Sequence, residues 1–251
     1  DWSSDVCSSD LYATIDHVDG YLEGLVPKPA DVSPDENGFF GYNFTDLADR
    51  SMIPELVAMT KEHGVWVVPT QALFERWFSD IPADQLADES EMKYMPASTI
   101  QSWVERKNQM TSNPGFDSDT WNTFNDIRRD MIHQLQHNGQ GLLLGSDAPQ
   151  VFNVPGFSIH HEMQYMLEAG LTPLEVLQTG TINTAVFFEQ EGEFGEIIED
   201  ASADFILSNG NPLEDLGHLK DPEGVMVRGR WLSKEEIDEK LSDLASRNEN
   251  R

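Results

Sequence analysis

Cysteine is almost absent from this sequence: one, Cys7, in 251 residues. No disulfide can close within the chain, and no cluster of thiolates can hold a metal. Basic residues are also scarce. Sixteen Lys and Arg stand against 45 Asp and Glu, a formal net charge of −29. That balance excludes a face built for nucleic-acid phosphates or anionic membrane surfaces. Long apolar runs are missing too, and none approaches the roughly 20 residues that cross a bilayer. No P-loop, GxGxxG or GxSxG motif occurs, and no internal repeat. What is present is a chain that is 39% hydrophobic. That suffices for a sizeable core in one large domain or a domain and a half.

The first eleven residues, DWSSDVCSSDL, have no basic region, apolar stretch or small-residue cleavage site, so they do not form a signal peptide. Asp1 through Asp10 match, codon by codon, the translation of a sequencing adapter. Residues 1–11 are therefore expected to be an artefactual leader, with Tyr12 joined to a parent protein whose upstream part is lost. Cys7 falls in that leader, and any targeting signal is lost with the upstream part. Localisation stays open between cytoplasmic and exported.

Tyr12–His17 alternates and is β-prone, which predicts a strand ending in a polar turn. Residues 27–43 are rich in Pro and Gly and read as a loop. Residues 45–63 have helical spacing, restarted at Pro54 and closed at Gly64. Val65–Val68 is a continuous apolar run before Pro69-Thr70, as a strand buried on both faces would be. Residues 74–118 are an irregular excursion with short helices, and 119–138 return to helical spacing. Gly141–Gly145 reads as a second buried strand, opening into Ser146-Asp147-Ala148-Pro149. Ser158 is expected to cap a helix through Glu168. Thr172-Pro173-Leu174-Glu175 spells a complete capping box for the next helix. Residues 203–207 and 225–228 read as late, short strands, followed from Ser233 by a charged helix. The alternation of strand and helix predicts an α/β fold with a parallel sheet and right-handed crossovers. The late strands suggest a small separate β layer.

His17 and Asp147 each stand just past the C-terminal end of a predicted parallel strand, where α/β sheets and barrels bind ligands. Imidazole and carboxylate are ordinary Zn²⁺ ligands, and a carboxylate beside a metal can also move a proton. Two plainer readings stand beside this one. A histidine there also serves as a hydrogen-bonded loop residue, and Asp147 also caps a turn. His160 and His161 are adjacent and point about 100° apart on a helix, so one can line a pocket while the other packs or faces solvent. His133 and His137 have chelating i, i+4 spacing but lack the glutamate of an HExxH motif, and read as a solvated helix face.

The runs IDHVDGY, HGVWVVPTQ, GLLLGSDAPQ, PGFSIHHEMQYMLEAGLTPLEVLQTGTINTAVFF, FGEIIEDASADFILSNGNPLEDL and GVMVRGRWLS occur in that order. Together they resemble the C-terminal half of the amidohydrolase superfamily, in its imidazolonepropionase-like and prolidase-like branch. The resemblance covers nearly all of residues 12–233. It implies a partial TIM (β/α)8 barrel, strands six to eight, over residues 12–193. Residues 194–233 would belong to a small β-sandwich, and 234–251 would be a charged tail. It implies a divalent metal, Zn²⁺ by family habit, with one or two ions in the full-length parent, and a small-molecule substrate hydrolysed at a C–N bond. His17 would be the metal ligand after strand six. Asp147 would bind metal after strand eight and shuttle the proton. His160 and Tyr21 would lie on the substrate side. A homo-oligomer is left open.

The sequence also departs from the family. The HxH of strand one, the carboxylated Lys or Glu of strand four and the His of strand five are absent. Glu199-Asp200-Ala201-Ser202 stands where the family has a Gly-containing turn. Two ligands do not complete a catalytic zinc site, and three barrel strands leave an open edge. The chain expressed alone is therefore expected to be inactive and aggregation-prone. A non-catalytic ligand-binding barrel is the alternative from another class.

Overall fold

The computed structural model describes residues 13–27, 33 and 36–249. The leader call and Cys7 fall outside the described residues. Strand β1 (Thr14–Asp16) pairs in parallel with β2 (Trp66–Val68), Thr14 opposite Trp66 and Asp16 opposite Val68. Residues 141–143 extend this sheet beyond β2. Val67 N–H donates to the Gly141 carbonyl at 3.2 Å, and Leu143 N–H to that of Val67 at 2.9 Å. The apolar run 141–145 thus pairs at one point, Val67 with Leu142, rather than along a full strand. The Trp66 ring sets the local geometry. A Cβ on Gly141 would stand 2.5 Å from its Cζ3 atom, and Gly141 has φ +143°. Only glycine lets the backbone pass the indole there. Val67 and Leu142 are both fully buried.

A four-residue helix, α1 (Tyr21–Gly24), follows β1. Short 3₁₀ turns then lead into α2 (Ile53–Glu62). Pro54 lies in the first turn of α2, where its missing N–H costs nothing. Ile53, Leu56, Val57 and Thr60 form the buried face of α2, the i, i+3, i+4, i+7 pattern. That face packs on α6 (Ser118–Asn138), which buries Trp121, Phe124, Met131 and Leu135. Asp117 caps α6 by accepting from Thr120 N–H at 2.7 Å.

The stretch between β2 and α6 is more ordered than its sequence suggests. It holds α3 (Gln71–Trp77), α4 (Ala83–Ala87), a 3₁₀ turn and the 15-residue α5 (Ala97–Thr111). Lys107 on α5 is 1% exposed. Its Nζ donates to the carbonyls of Arg76, Trp77 and Ser79 at 2.7, 3.1 and 2.9 Å. It thereby satisfies the last carbonyls of α3.

Helix α7 (Ser158–Glu168) corrects one expectation. Ser158 is not its cap: the capping position is Phe157, which makes no side-chain hydrogen bond. Ser158 Oγ is instead buried against Ser146 Oγ at 2.8 Å. The capping box at Thr172 opens α8 (Pro173–Thr179) as predicted. A further short helix, α9 (Ile182–Phe187), follows. The late strands form a separate antiparallel sheet of β3 (Phe205–Leu207), β4 (Gly224–Val227) and β5 (Arg230–Ser233). The β4–β5 hairpin turns through Arg228-Gly229, with φ +49° and +76°. A two-residue hairpin loop requires that left-handed pair. Helix α10 (Lys234–Glu249) ends the described chain.

Candidate functional site

Three residues sit just past the C-terminal ends of the three parallel segments: His17, Thr70 and Asp147. All three have left-handed backbone, φ +65°, +49° and +53°. For residues other than glycine this costs about 1–2 kcal/mol each, so the surroundings must hold them there.

One side chain supplies much of that hold. Arg128 on α6 is 3% exposed. Its Nη1 donates to the His17 carbonyl at 2.7 Å, Nη2 to the Pro69 carbonyl at 3.2 Å, and Nε to Gln71 Oε1 at 2.9 Å. Its guanidinium lies 3.5 Å over the Phe74 ring. Burial pulls its pKa down to about 9, opposed by the charges of Glu162 and Glu75. The group therefore remains a cation at neutral pH.

His17 Nδ1 lies 2.8 Å from Thr70 Oγ1. In the tautomer where Nδ1–H donates to that hydroxyl, the Nε2 lone pair is free. His17 Nε2 lies 4.0 Å from Asp147 Oδ2. Two donors held about 2.1 Å from one ion stand at most about 4.2 Å apart, and about 3.4 Å apart at a tetrahedral angle. The pair therefore fits a shared divalent ion after closing by a few tenths of an ångström. Their side chains are 26% and 36% exposed, so an ion and its water can reach them. The ring edge of Phe40 walls one side, 5.3 Å from the imidazole centroid. Among the described residues, Asp147 accepts no hydrogen bond through its carboxylate. A turn-capping role for that side chain has no partner here.

The other two sequence candidates lie elsewhere. Tyr21 is 1% exposed in the core and shares a 2.7 Å hydrogen bond with Thr60 Oγ1. That places it as a packing residue, because its hydroxyl points into α2 rather than into a cleft. His160 lines a cavity bounded also by β3, β4 and α10, whose walls include neither His17 nor Asp147. His161 is turned to other partners: its Nε2 lies 2.6 Å from Glu91 Oε1. That imidazole holds the Glu91 carboxyl down at about 2. Glu89, Glu91 and His161 offer ligand atoms within 4.8 Å of one another. Arg76 already pairs with Glu89 there, so a cation occupies the cluster from within the chain. His137, on the face read as solvated, lies 3.1 Å from Glu175.

Sequence reasoning passed over Thr70, Arg128 and Glu162. Glu162, on α7, is fully buried. It accepts from Gln71 and Ala72 N–H at 2.9 and 2.7 Å, at the start of α3. Burial raises its pKa to about 7, the two N–H donors and Arg128 working against that rise. The folded state then binds a proton more tightly than the unfolded chain, whose carboxyl titrates near 4.5. The associated stability is fully present below about 4.5 and is lost as pH rises through about 7. Thermal unfolding between pH 5 and 8 should show a falling midpoint in the wild type and a flatter profile in Glu162→Gln. Parallel profiles for the two proteins would refute this titration.

Comparison with known proteins adds an independent line. Residues 38–232 match the sequence model of the amidohydrolase family. Among solved structures, bottromycin amidohydrolase aligns with 98% of this chain and 51% of its own, at 18% identity and a TM-score of 0.67. A putative prolidase from Bifidobacterium longum aligns with 76% of this chain and 44% of its own, at 21% identity and a TM-score of 0.50. At these identities the likeness is one of fold. The chain spans about half the length of these two neighbours. No curated protein is a significant sequence match.

Proposed function

The chain belongs to the amidohydrolase family, and from that premise we propose that it carries part of the active site of a metal-dependent hydrolase of C–N bonds. In this reading β1, β2 and residues 141–143 are the last three strands of a (β/α)8 barrel. The sheet β3–β4–β5 is part of a small β-sandwich. The substrate is a small molecule with a non-peptide amide, a cyclic amide or a dipeptide bond. The names of the two structural neighbours, an amidohydrolase and a putative prolidase, support that class.

The observation that carries the reading is the 4.0 Å approach of His17 Nε2 to Asp147 Oδ2 across the ends of separate strands. These two side chains would hold a divalent ion, Zn²⁺ by ligand type. When bound, the ion supplies Lewis acidity that lowers the pKa of a coordinated water toward neutrality. The chain's own residues do the rest. Thr70 fixes the His17 ring through Nδ1. Arg128 fixes the backbone beneath it. Asp147, with its carboxylate otherwise unengaged, takes the proton of the attacking water and returns it to the leaving nitrogen.

Two protein ligands fall short of the three that a catalytic zinc site uses. The 251-residue chain alone is therefore expected to show negligible turnover of dipeptide and amide substrates. The full-length parent, carrying the ligands of the earlier strands, should be active and should lose activity to a chelator and regain it with Zn²⁺. Ready turnover by the 251-residue chain would overturn the ligand count. A full-length parent that binds such molecules without hydrolysing them would favour a binding barrel.

A further inference from the structure

A cavity of about 630 Å³ lies between α7 and the β3–β5 layer, closed on one side by α10. Its volume falls in the range of small-molecule sites. Met163 of α7, Ile206 of β3, Val225 of β4 and Leu241 of α10 give it an apolar body. Its polar features are few. The chain has 45 acidic and 16 basic residues, yet no carboxylate lines this space, and Lys220 is its one lining residue with a permanent charge. Lys220 makes no ion pair among the described residues. His160 faces the same space. Its Nδ1 is buried without a hydrogen-bond partner. Burial, and then the charge of Lys220, pull this imidazole down to about 4, so at neutral pH it is an uncharged ring able to donate one hydrogen bond.

Lys220 is exposed and has no ion pair among the described residues, and the apolar wall it borders holds no carboxylate. A cationic head would meet Lys220, and a purely apolar guest would leave it without a partner. We propose that this cavity is a binding site, separate from the His17–Asp147 pair, for a small amphipathic carboxylic acid. Its alkyl or aryl body packs on Met163, Ile206, Val225 and Leu241. Its carboxylate pairs with Lys220, and its body also meets the uncharged ring of His160.

Titration of the monomer fraction of the 251-residue chain, isolated by size exclusion, with octanoate, octanamide and propionate tests this. Calorimetry at low protein concentration gives the affinities, and light scattering gives the mass. Octanoate should bind once per chain and saturate. Octanamide lacks the charge and propionate lacks the tail, so each should bind at least about tenfold more weakly. Lys220→Met keeps the apolar stem of an exposed residue, so the fold should persist, as circular dichroism can verify. That variant should lose about tenfold in octanoate affinity and leave octanamide unchanged, while Lys220→Arg should retain binding. Equal affinity for acid and amide, no effect of Lys220→Met, or no saturation would each overturn the site. So would octanoate binding that only accompanies dissociation of a dimer, which would make the cavity a contact with a second copy.

Discussion

On the proposed hydrolase reading, Asp147→Asn is expected to lower kcat/KM of the full-length parent by about 10³-fold, the scale of a lost proton-transferring group, and to lower its metal content. The substitution is well matched to the position. Asp147 has φ +53°, and Asn is one of the few side chains that adopts left-handed backbone readily. The turn should therefore survive unchanged. What is lost is the negative charge and the basicity of the oxygen facing His17 Nε2. The structure also separates this outcome from the plainer reading. A capping aspartate loses stability when its acceptor is weakened, but this carboxylate accepts no hydrogen bond among the described residues. The thermal midpoint should thus move little while activity collapses. Kinetics and metal analysis on the same preparation decide the matter. Unchanged metal content and turnover would remove Asp147 from the chemistry and leave His17 a loop residue.

The strand-end placement of His17 and Asp147 was legible because each follows an apolar run, a position defined by a few neighbouring residues. Thr70 occupies the corresponding place after β2, and the same positional argument points to it. It was passed over because Pro69-Thr70 reads equally well as a turn. The placement of Tyr21 was not legible in the same way. It lies close behind His17 in sequence, but α1 directs its ring into the core. Helix α5 escaped notice because it buries little beyond Trp103 and Lys107, too sparse a stripe for periodicity to register. In the β layer the hairpin turn Arg228-Gly229 needs left-handed backbone at an arginine, which composition gives no reason to expect. Glu162 and Arg128 were the least accessible of all. Their hydrogen-bond partners lie 90 or more and 57 or more residues away, and a charged residue in a helical pattern reads by default as solvated. Local sequence therefore revealed what stands at the strand ends but not what holds those ends in place.

That holding function yields the largest expected stability effect. Arg128→Met is expected to destabilise the chain by about 3–5 kcal/mol, the range for breaking a buried ionic arrangement by removing one side. Methionine approximates the length and apolar stem of arginine, so contact with Phe74 and Phe124 is partly kept. The hydrogen bonds are not. The carbonyls of His17 and Pro69 and the amide oxygen of Gln71 each lose a donor, and buried acceptors without donors are costly. Glu162, fully buried, loses the positive charge that opposes its upward shift. Its carboxyl should then protonate at still higher pH. Arg128→Lys separates charge from geometry. An ammonium restores the charge near Glu162 but cannot span three acceptors in the plane of a guanidinium, so it should recover only part of the loss. Denaturant midpoints for the three proteins measure this order. A loss below about 1 kcal/mol in Arg128→Met would lie within the range of an ordinary surface substitution. The strained backbone at His17 would then be held by the parallel strands alone, through contacts such as His17 N–H to the Val68 carbonyl at 2.8 Å.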